Sequence, residues 1–168
     1  METAYQSKSA VYLRMGKSDK GDVHTSALKL RAGELLSVRP GSSFDCTIIA
    51  TGSLVRSAMD IAKSSYPNAT VWSIPFIKPI DRQQVISICQ RSRVVVVLEE
   101  HSVFGGLGSV IAEIASEFAP TRVLRIGVCD RFSHYCGTYE YLLKEHGLNH
   151  EAIERKIRDY LKQSKACT

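Results

Sequence analysis

Residues 94–98 read Val-Val-Val-Val-Leu, with no polar side chain to turn toward water. A β-strand points successive side chains to opposite faces, so a run this apolar needs both of its faces covered. Four β-branched residues in a row also disfavour a helix. The chain must therefore place one layer above this strand and another below it. The neighbouring sequence can supply both. Val55, Ala58, Met59 and Ala62 share one helical face, as do Leu107, Val110, Ile111, Ile114 and Phe118, and Pro120 ends the second helix.

Strand-like runs at 46–50, 69–74, 93–98 and 122–126 alternate with these helical patterns over short links. Such alternation implies βαβ crossovers and a mainly parallel sheet. Residues 34–38 form one more strand, tied to 46–50 by the turn signal Pro40-Gly-Ser-Ser43. So short a link predicts that these two strands pair antiparallel. The expected fold is α/β: a three-layer sandwich whose mainly parallel five-stranded sheet has one antiparallel edge strand and helices on both faces. Local punctuation supports it. Ser53 is placed to cap the first helix, and Asp81 to cap another with Gln84 in the reciprocal capping-box position. A short helix over 139–145, the C-cap Gly147 and a helix carrying Ile153, Ile157 and Leu161 close the chain. Residues 1–20 fit none of this, although Val11-Tyr-Leu-Arg14 is β-like.

Composition narrows the partners. The net charge is +5, but Lys and Arg are densest in Arg155, Lys156, Arg158, Lys162 and Lys165, which reads as one solvated helix face. No aromatic-plus-basic pattern accompanies it, so no nucleic acid is expected. Five cysteines, an odd number without a CxxC pair, suit reduced thiols, three of them in apolar core contexts. No apolar run approaches the roughly 18–20 residues of a membrane span. No membrane partner and a cytoplasmic location are expected.

Behind the apolar strand comes EEHSVFGGLGS at 99–109. Glu99, Glu100 and His101 stand at the carboxyl end of a central parallel strand, where open α/β sheets place ligands. Gly105, Gly106 and Gly108 then lead into a helix N-terminus, a place where backbone N–H groups can meet an anion. Yet G-G-x-G is not the dinucleotide fingerprint, and a Walker-type lysine is missing. The glycines are better read as permitting positive φ and close helix–strand packing. For the acids, the expectation is that one Glu caps or pairs locally while His101 lies at an interface. No triad partner stands at a recognisable spacing, so no catalytic residue is assigned. Asp130, His134 and Cys136 lack zinc-like spacing, which leaves their segment a loop at the sheet's carboxyl edge and predicts no metal site.

DCTIIATGS at 45–53, IKPID at 77–81, VVVVLEEHSVFGGLGS at 94–109, Asp130 and HGL at 146–148 occur in a fixed order. That order resembles the C-terminal domain of the transketolase family: transketolases, deoxyxylulose-phosphate synthases and the beta subunits of 2-oxo-acid dehydrogenases. SAVYLRMGK at 9–17 is similar to the last strand of the preceding pyrimidine-binding domain in that family. The resemblance thus implies that residues 1–20 are the tail of that domain or a linker, and 33–165 the C-terminal domain. It implies a thiamine-diphosphate enzyme moving a two-carbon ketol unit between sugar phosphates, with Mg²⁺ or Ca²⁺ on the diphosphate. Cofactor and metal are expected on other domains or a separate subunit, with none on this chain. It further implies a homodimer and a helper domain, inactive alone, at the edge of the substrate channel. Arg14 and Lys17 lie in the segment that supplies a cation to the sugar phosphate. The alternative implied by the family is a subunit-docking module of a 2-oxo-acid dehydrogenase complex. After Asp130, the run Phe132-Ser-His-Tyr-Cys-Gly137 is bulkier than the family's small loop.

Overall fold

A computed structural model of the chain describes residues 2–16, 21–24 and 30–165. After a four-residue helix, α1 (Glu2–Tyr5), the regular part begins with β1 (Leu36–Arg39), β2 (Thr47–Ala50), α2 (Leu54–Ser64), β3 (Thr70–Ser73) and α3 (Arg82–Arg91). It continues through β4 (Val94–Ser102), α4 (Leu107–Phe118), β5 (Arg122–Val128), α5 (Tyr139–Glu145) and α6 (His150–Lys165). The five strands form one sheet in the order β1-β3-β2-β4-β5. All pairings are parallel except β1 with β3.

The apolar run behaves as its sequence demands. Val94, Val96 and Leu98 pack on the face covered by α2 and α6, against Leu54, Ala58, Ile61, Ile153 and Ile157. Val95 and Val97 pack on the other face with Val85 and Ile88 of α3 and Leu107, Ile111 and Ile114 of α4. All five strand residues are fully buried. Two helical layers on one central sheet give the expected sandwich.

The edge strand is antiparallel, but its partner is not the expected one. β1 pairs with β3 rather than with β2, although the link between β1 and β2 is short. The link crosses the amino end of β3 instead of turning back on itself. Arg39 Nη1 donates to the Ala69 carbonyl at 2.5 Å, Gly41 N to Thr70 Oγ1 at 3.2 Å and Ser43 N to the Asn68 carbonyl at 3.1 Å. Every residue of β2 is buried and β3 nearly so, whereas β1 is half exposed. Placing β1 outside β3 therefore hides the apolar strands and leaves the polar one at the edge.

The capping box at α3 forms by halves. Asp81 Oδ1 accepts from Gln84 N at 3.0 Å, as expected. The Gln84 carboxamide does not reach back to Asp81 N, which donates to the Gly33 carbonyl at 2.8 Å. It pairs with both backbone groups of Leu35, accepting from N at 2.8 Å and donating to O at 3.0 Å. A side chain that satisfies a buried strand lead-in gains more than one that duplicates a cap already made. Gly147 follows α5 at φ +64°, the left-handed conformation of a helix C-cap. Residues 11–14 pair with no strand among the described residues, and Val11, Tyr12 and Leu13 stay exposed. A β-like run needs a neighbour to become a strand, and none adjoins it here.

Cys46 and Cys89 are buried, while Cys129 and Cys136 are exposed, so the third core thiol expected from sequence is not found among the described residues. Cys129 lies just past β5, where the strand has left the core. Burial, helped by the Asp45 charge, pushes the Cys46 thiol up to about 12, and burial pushes Cys89 up to about 11. Folding therefore favours both neutral thiols. Their contribution is complete below the free-thiol value of 9.0 and is lost as pH rises toward the folded values. Melting temperature should stay level between about pH 6 and 8.5 and fall above about 9. Iodoacetamide at pH 8 should label Cys129 and Cys136 in the folded chain and reach Cys46 and Cys89 only in denaturant; labelling of Cys46 under native conditions would contradict this core.

Candidate functional site

Because β3 and β4 flank β2 on opposite sides, the chain leaves the sheet first one way and then the other. The carboxyl ends of β2 and β4 mark that change of direction, which is where open α/β sheets bind ligands. Three stretches meet there: residues 51–53 behind β2, residues 99–101 of β4, and the loop from β5 into α5.

Residues 99–101 do not continue the ladder. Leu98 pairs with Ile126 and Ser102 with Val128, so three residues of β4 oppose the single Gly127 of β5. A bulge of this kind re-aims side chains that a regular strand would simply alternate. Gly127 makes room for it, since a Cβ there would lie 2.7 Å from the His101 carbonyl oxygen. The three side chains diverge: Glu99 goes inward, Glu100 lies half-buried and His101 is exposed.

Glu99 is 1% exposed. Its Oε2 accepts from Leu107 N at 2.7 Å and its Oε1 from Gly108 N at 2.8 Å. The carboxylate thus satisfies the first free N–H groups of α4 and meets the positive end of the helix dipole. This is the local cap expected of one of the two acids. It also explains the glycines. A Cβ on Gly106 would lie 2.1 Å from Glu99 Oε2, and one on Gly108 would lie 3.0 Å from Oε1. Gly105 has φ +73° and its N donates to Ser109 Oγ at 3.0 Å. The anion at this helix start is the protein's own.

Glu100 turns toward the other helical layer. Its Oε1 accepts from both Ser53 Oγ and Tyr139 OH, and the two hydroxyl oxygens lie 2.7 Å apart. The Glu100 carbonyl accepts from Arg14 Nη2 at 3.1 Å. Arg14 is therefore brought to this corner, while Lys17 lies outside the described residues. Ser53 does not cap α2: its backbone is already helical and its side chain makes no cap bond. The hydroxyl donates to a carboxylate instead, the stronger of the hydrogen bonds open to it. Tyr139 could not be found from spacing, since it reaches Glu100 across 39 positions. Thr138, which accepts from Tyr141 N at 3.2 Å to cap α5, carried an ordinary cap signal. His101 makes only a 3.3 Å contact from Nδ1 to the Ser102 carbonyl.

The loop after β5 folds back on α5. Arg131 Nη2 donates to the Glu145 carbonyl, His134 N donates to Glu145 Oε1 at 2.6 Å, and Ser133 Oγ lies 2.8 Å from His146 Nε2. Phe132 and Tyr135 remain exposed. Among the described residues, no group of three or more His, Cys, Asp or Glu could hold a metal ion. No helix among them is long and apolar enough to cross a membrane.

The family model for the transketolase C-terminal domain matches residues 33–153. The chain belongs to that family. A transketolase C-terminal section of Methanocaldococcus jannaschii, itself named as putative, is 34% identical over 97% of this chain and 52% of its own length. The 1-deoxy-D-xylulose-5-phosphate synthase of Mannheimia succiniciproducens is 33% identical over 80% of this chain and 21% of its own length. A split-gene transketolase solved as an inactive beta4 tetramer superposes with a TM-score of 0.87 at 32% identity, over 96% of this chain and 53% of that one. The transketolase of Leishmania mexicana shares the fold with a TM-score of 0.55. The chain therefore spans about half, or less, of the relatives that it matches.

The transketolase C-terminal fold makes the Glu99 cradle testable. Gly106→Ala should destabilise the chain by about 2–3 kcal/mol through the forced contact with the carboxylate. Glu99→Gln should cost about 2 kcal/mol, because an amide N–H₂ then faces a helix N–H. The double variant Gly106→Ala with Glu99→Ala should cost less than the sum of its single variants in urea melts. Full additivity would mean that glycine and carboxylate do not share the space.

Glu145 supplies a separate pH signature. The backbone N–H of His134, its ring and the nearby His146 hold this carboxyl below its ordinary 4.5. A lowered carboxyl stabilises the loop above that value and releases it as pH falls through the folded pKa. The Glu145 side-chain carboxyl carbon, followed by NMR, should titrate with a midpoint below 4.5. Glu145→Gln should remove that transition.

Proposed function

We propose that this chain supplies the C-terminal domain of a thiamine-diphosphate-dependent enzyme of transketolase type, which moves a two-carbon ketol unit between sugar phosphates. Residues 33–165 are the domain, and residues 1–20 complete the pyrimidine-binding domain before it or link to it. Membership of the family, combined with a span of about half its relatives or less, supports assigning the cofactor chemistry to other domains or to a separate subunit.

The cofactor does not fit the residues present. The helix start that most resembles a diphosphate cradle is filled by the buried Glu99 carboxylate, which would repel a second anion at close range. The described residues also offer no cluster for Mg²⁺ or Ca²⁺. On this reading the chain contributes binding and positioning rather than cofactor chemistry, and is inactive alone. The chain's own role is to support the dimer, with the glycine turn and His101 at an interface, and to shape the edge of the substrate channel. Arg14, and Lys17 three positions on, present cations to the substrate phosphate. A guanidinium suits that task because its fork of N–H donors matches phosphate oxygens. The assembled enzyme works in the cytoplasm.

The observation that carries this reading is the position of Arg14. A cation from the N-terminal segment is held at the sheet's carboxyl corner, not left on the far side of the domain. Calorimetry of the isolated chain with thiamine diphosphate and Mg²⁺ should give no binding heat; micromolar binding would refute the division of labour. Adding the thiamine-diphosphate-binding partner chain should restore ketol transfer. Replacing both Arg14 and Lys17 by Ala should then raise KM for the sugar phosphate at least about tenfold with little change in kcat.

A further inference from the structure

We infer that Glu100, Ser53 and Tyr139 form a positioning latch that fixes the N-terminal segment to the domain through Arg14. This rests on the proposed function for its catalytic consequence, but not for the latch itself.

Glu100 lies in the bulge of β4, between the paired positions of the ladder with β5. Between the Leu98–Ile126 and Ser102–Val128 pairs, only Gly127 opposes three residues. The Glu100 carbonyl accepts from Arg14 Nη2 at 3.1 Å. The side chain of the same residue is pinned at Oε1 by two hydroxyls from different elements, Ser53 at the start of α2 and Tyr139 at the start of α5. The hydroxyl oxygens lie 2.7 Å apart, so the three groups share one compact corner, with each hydroxyl's single proton directed to the carboxylate. Hydrogen bonds to a carboxylate are among the stronger ones a hydroxyl can make, and two of them from different elements fix direction as well as distance. Thr138 caps α5 directly before Tyr139, which fixes the start of the helix that carries it.

Glu100 is a positioning residue by this account. Its carboxylate faces Ser53 and Tyr139, and it acts on Arg14 through its backbone. Among the described residues, the segment that Arg14 anchors pairs with no strand: residues 11–16 are exposed, and Val11, Tyr12, Leu13 and Met15 present apolar side chains. Among the described residues, the Arg14 bond to Glu100 ties this segment to the sheet's carboxyl corner. In the assembled enzyme the same corner sets where the phosphate-binding cations stand.

Two measurements on different footings test the latch. In the first, chymotrypsin cleavage after Tyr12 is followed by mass spectrometry in the full 168-residue chain. Arg14→Ala should raise that rate about five- to tenfold, Tyr139→Phe should raise it nearly as far, and the double variant should add little. Ser53→Ala weakens the same corner from α2 and guards against a Tyr139→Phe chain that simply folds badly, which its melting curve reveals. Unchanged cleavage in Arg14→Ala would overturn the latch. So would an increase in Arg14→Ala that neither Tyr139→Phe nor Ser53→Ala reproduces.

In the second measurement, the reconstituted enzyme carrying Tyr139→Phe should show a raised KM for sugar phosphate, at least about threefold, with kcat within about twofold. A matched fall in kcat with KM unchanged would overturn the positioning role. Absence of ketol transfer in the unaltered enzyme would instead refute the proposed function, and the cleavage arm would still decide the latch.

Discussion

A buried carboxylate is expensive unless every oxygen is answered, and Glu99 shows how much structure one answer can require. Burying a charge costs several kcal/mol per ion before compensation. Here the compensation is two backbone N–H bonds at 2.7 and 2.8 Å and the positive end of α4. To deliver it, the first turn of α4 must come within reach of the β4 terminus, and nothing larger than hydrogen can stand between them. Gly106 and Gly108 meet that demand. Arg125 closes the outside of the turn by donating to the Val103 carbonyl at 2.8 Å and to Ser109 Oγ at 3.2 Å. Strand, turn and helix are thus one unit built around a single charge.

The corner next to that charge is built from the same strand end. Glu99 continues the face of Val95 and Val97 toward α4, as strand alternation requires, and the bulge opposite Gly127 of β5 ends that alternation before His101 reaches the same face. Glu100 continues the face of Val94, Val96 and Leu98 toward the opposite helical layer and meets Ser53 and Tyr139. Three consecutive residues therefore serve three places: a helix cap, a polar corner and the exposed rim. A regular strand could have served only two.

These relations explain which parts of the fold were legible from sequence. Side-chain period gave away the central strand and its two covering layers, because burial on both faces leaves no polar residue to dilute the run from Val94 to Leu98. The local cap by an acid was legible for the same kind of reason, since a charge at the end of a buried strand must find donors nearby. Partner choice was less accessible. The link from β1 suggested a hairpin with β2, but burial of β2 and β3 and the bonds from Arg39, Gly41 and Ser43 to the amino end of β3 carry the chain past it. Ser53 and Gln84 show the same limit at the scale of one side chain. Each stood at a sound cap position, and each was drawn to a better partner that only the tertiary fold brings near. Tyr139 gave no signal at all, because no local rule connects it to Glu100.

The glycine-rich turn and the acids behind β4 together looked like an anion site with acid–base groups beside it, and the geometry separates those two ideas. At the helix start the positive potential that would attract a phosphate is already neutralised from within, so the turn that most resembles a ligand cradle is the part of the corner least able to bind one. The half-buried side of the bulge is different. Glu100, Ser53 and Tyr139 are polar, partly exposed and joined to a cation that arrives from the N-terminal segment. A domain arranged this way spends its buried charge on its own rigidity and its exposed polar corner on contact with a neighbouring segment.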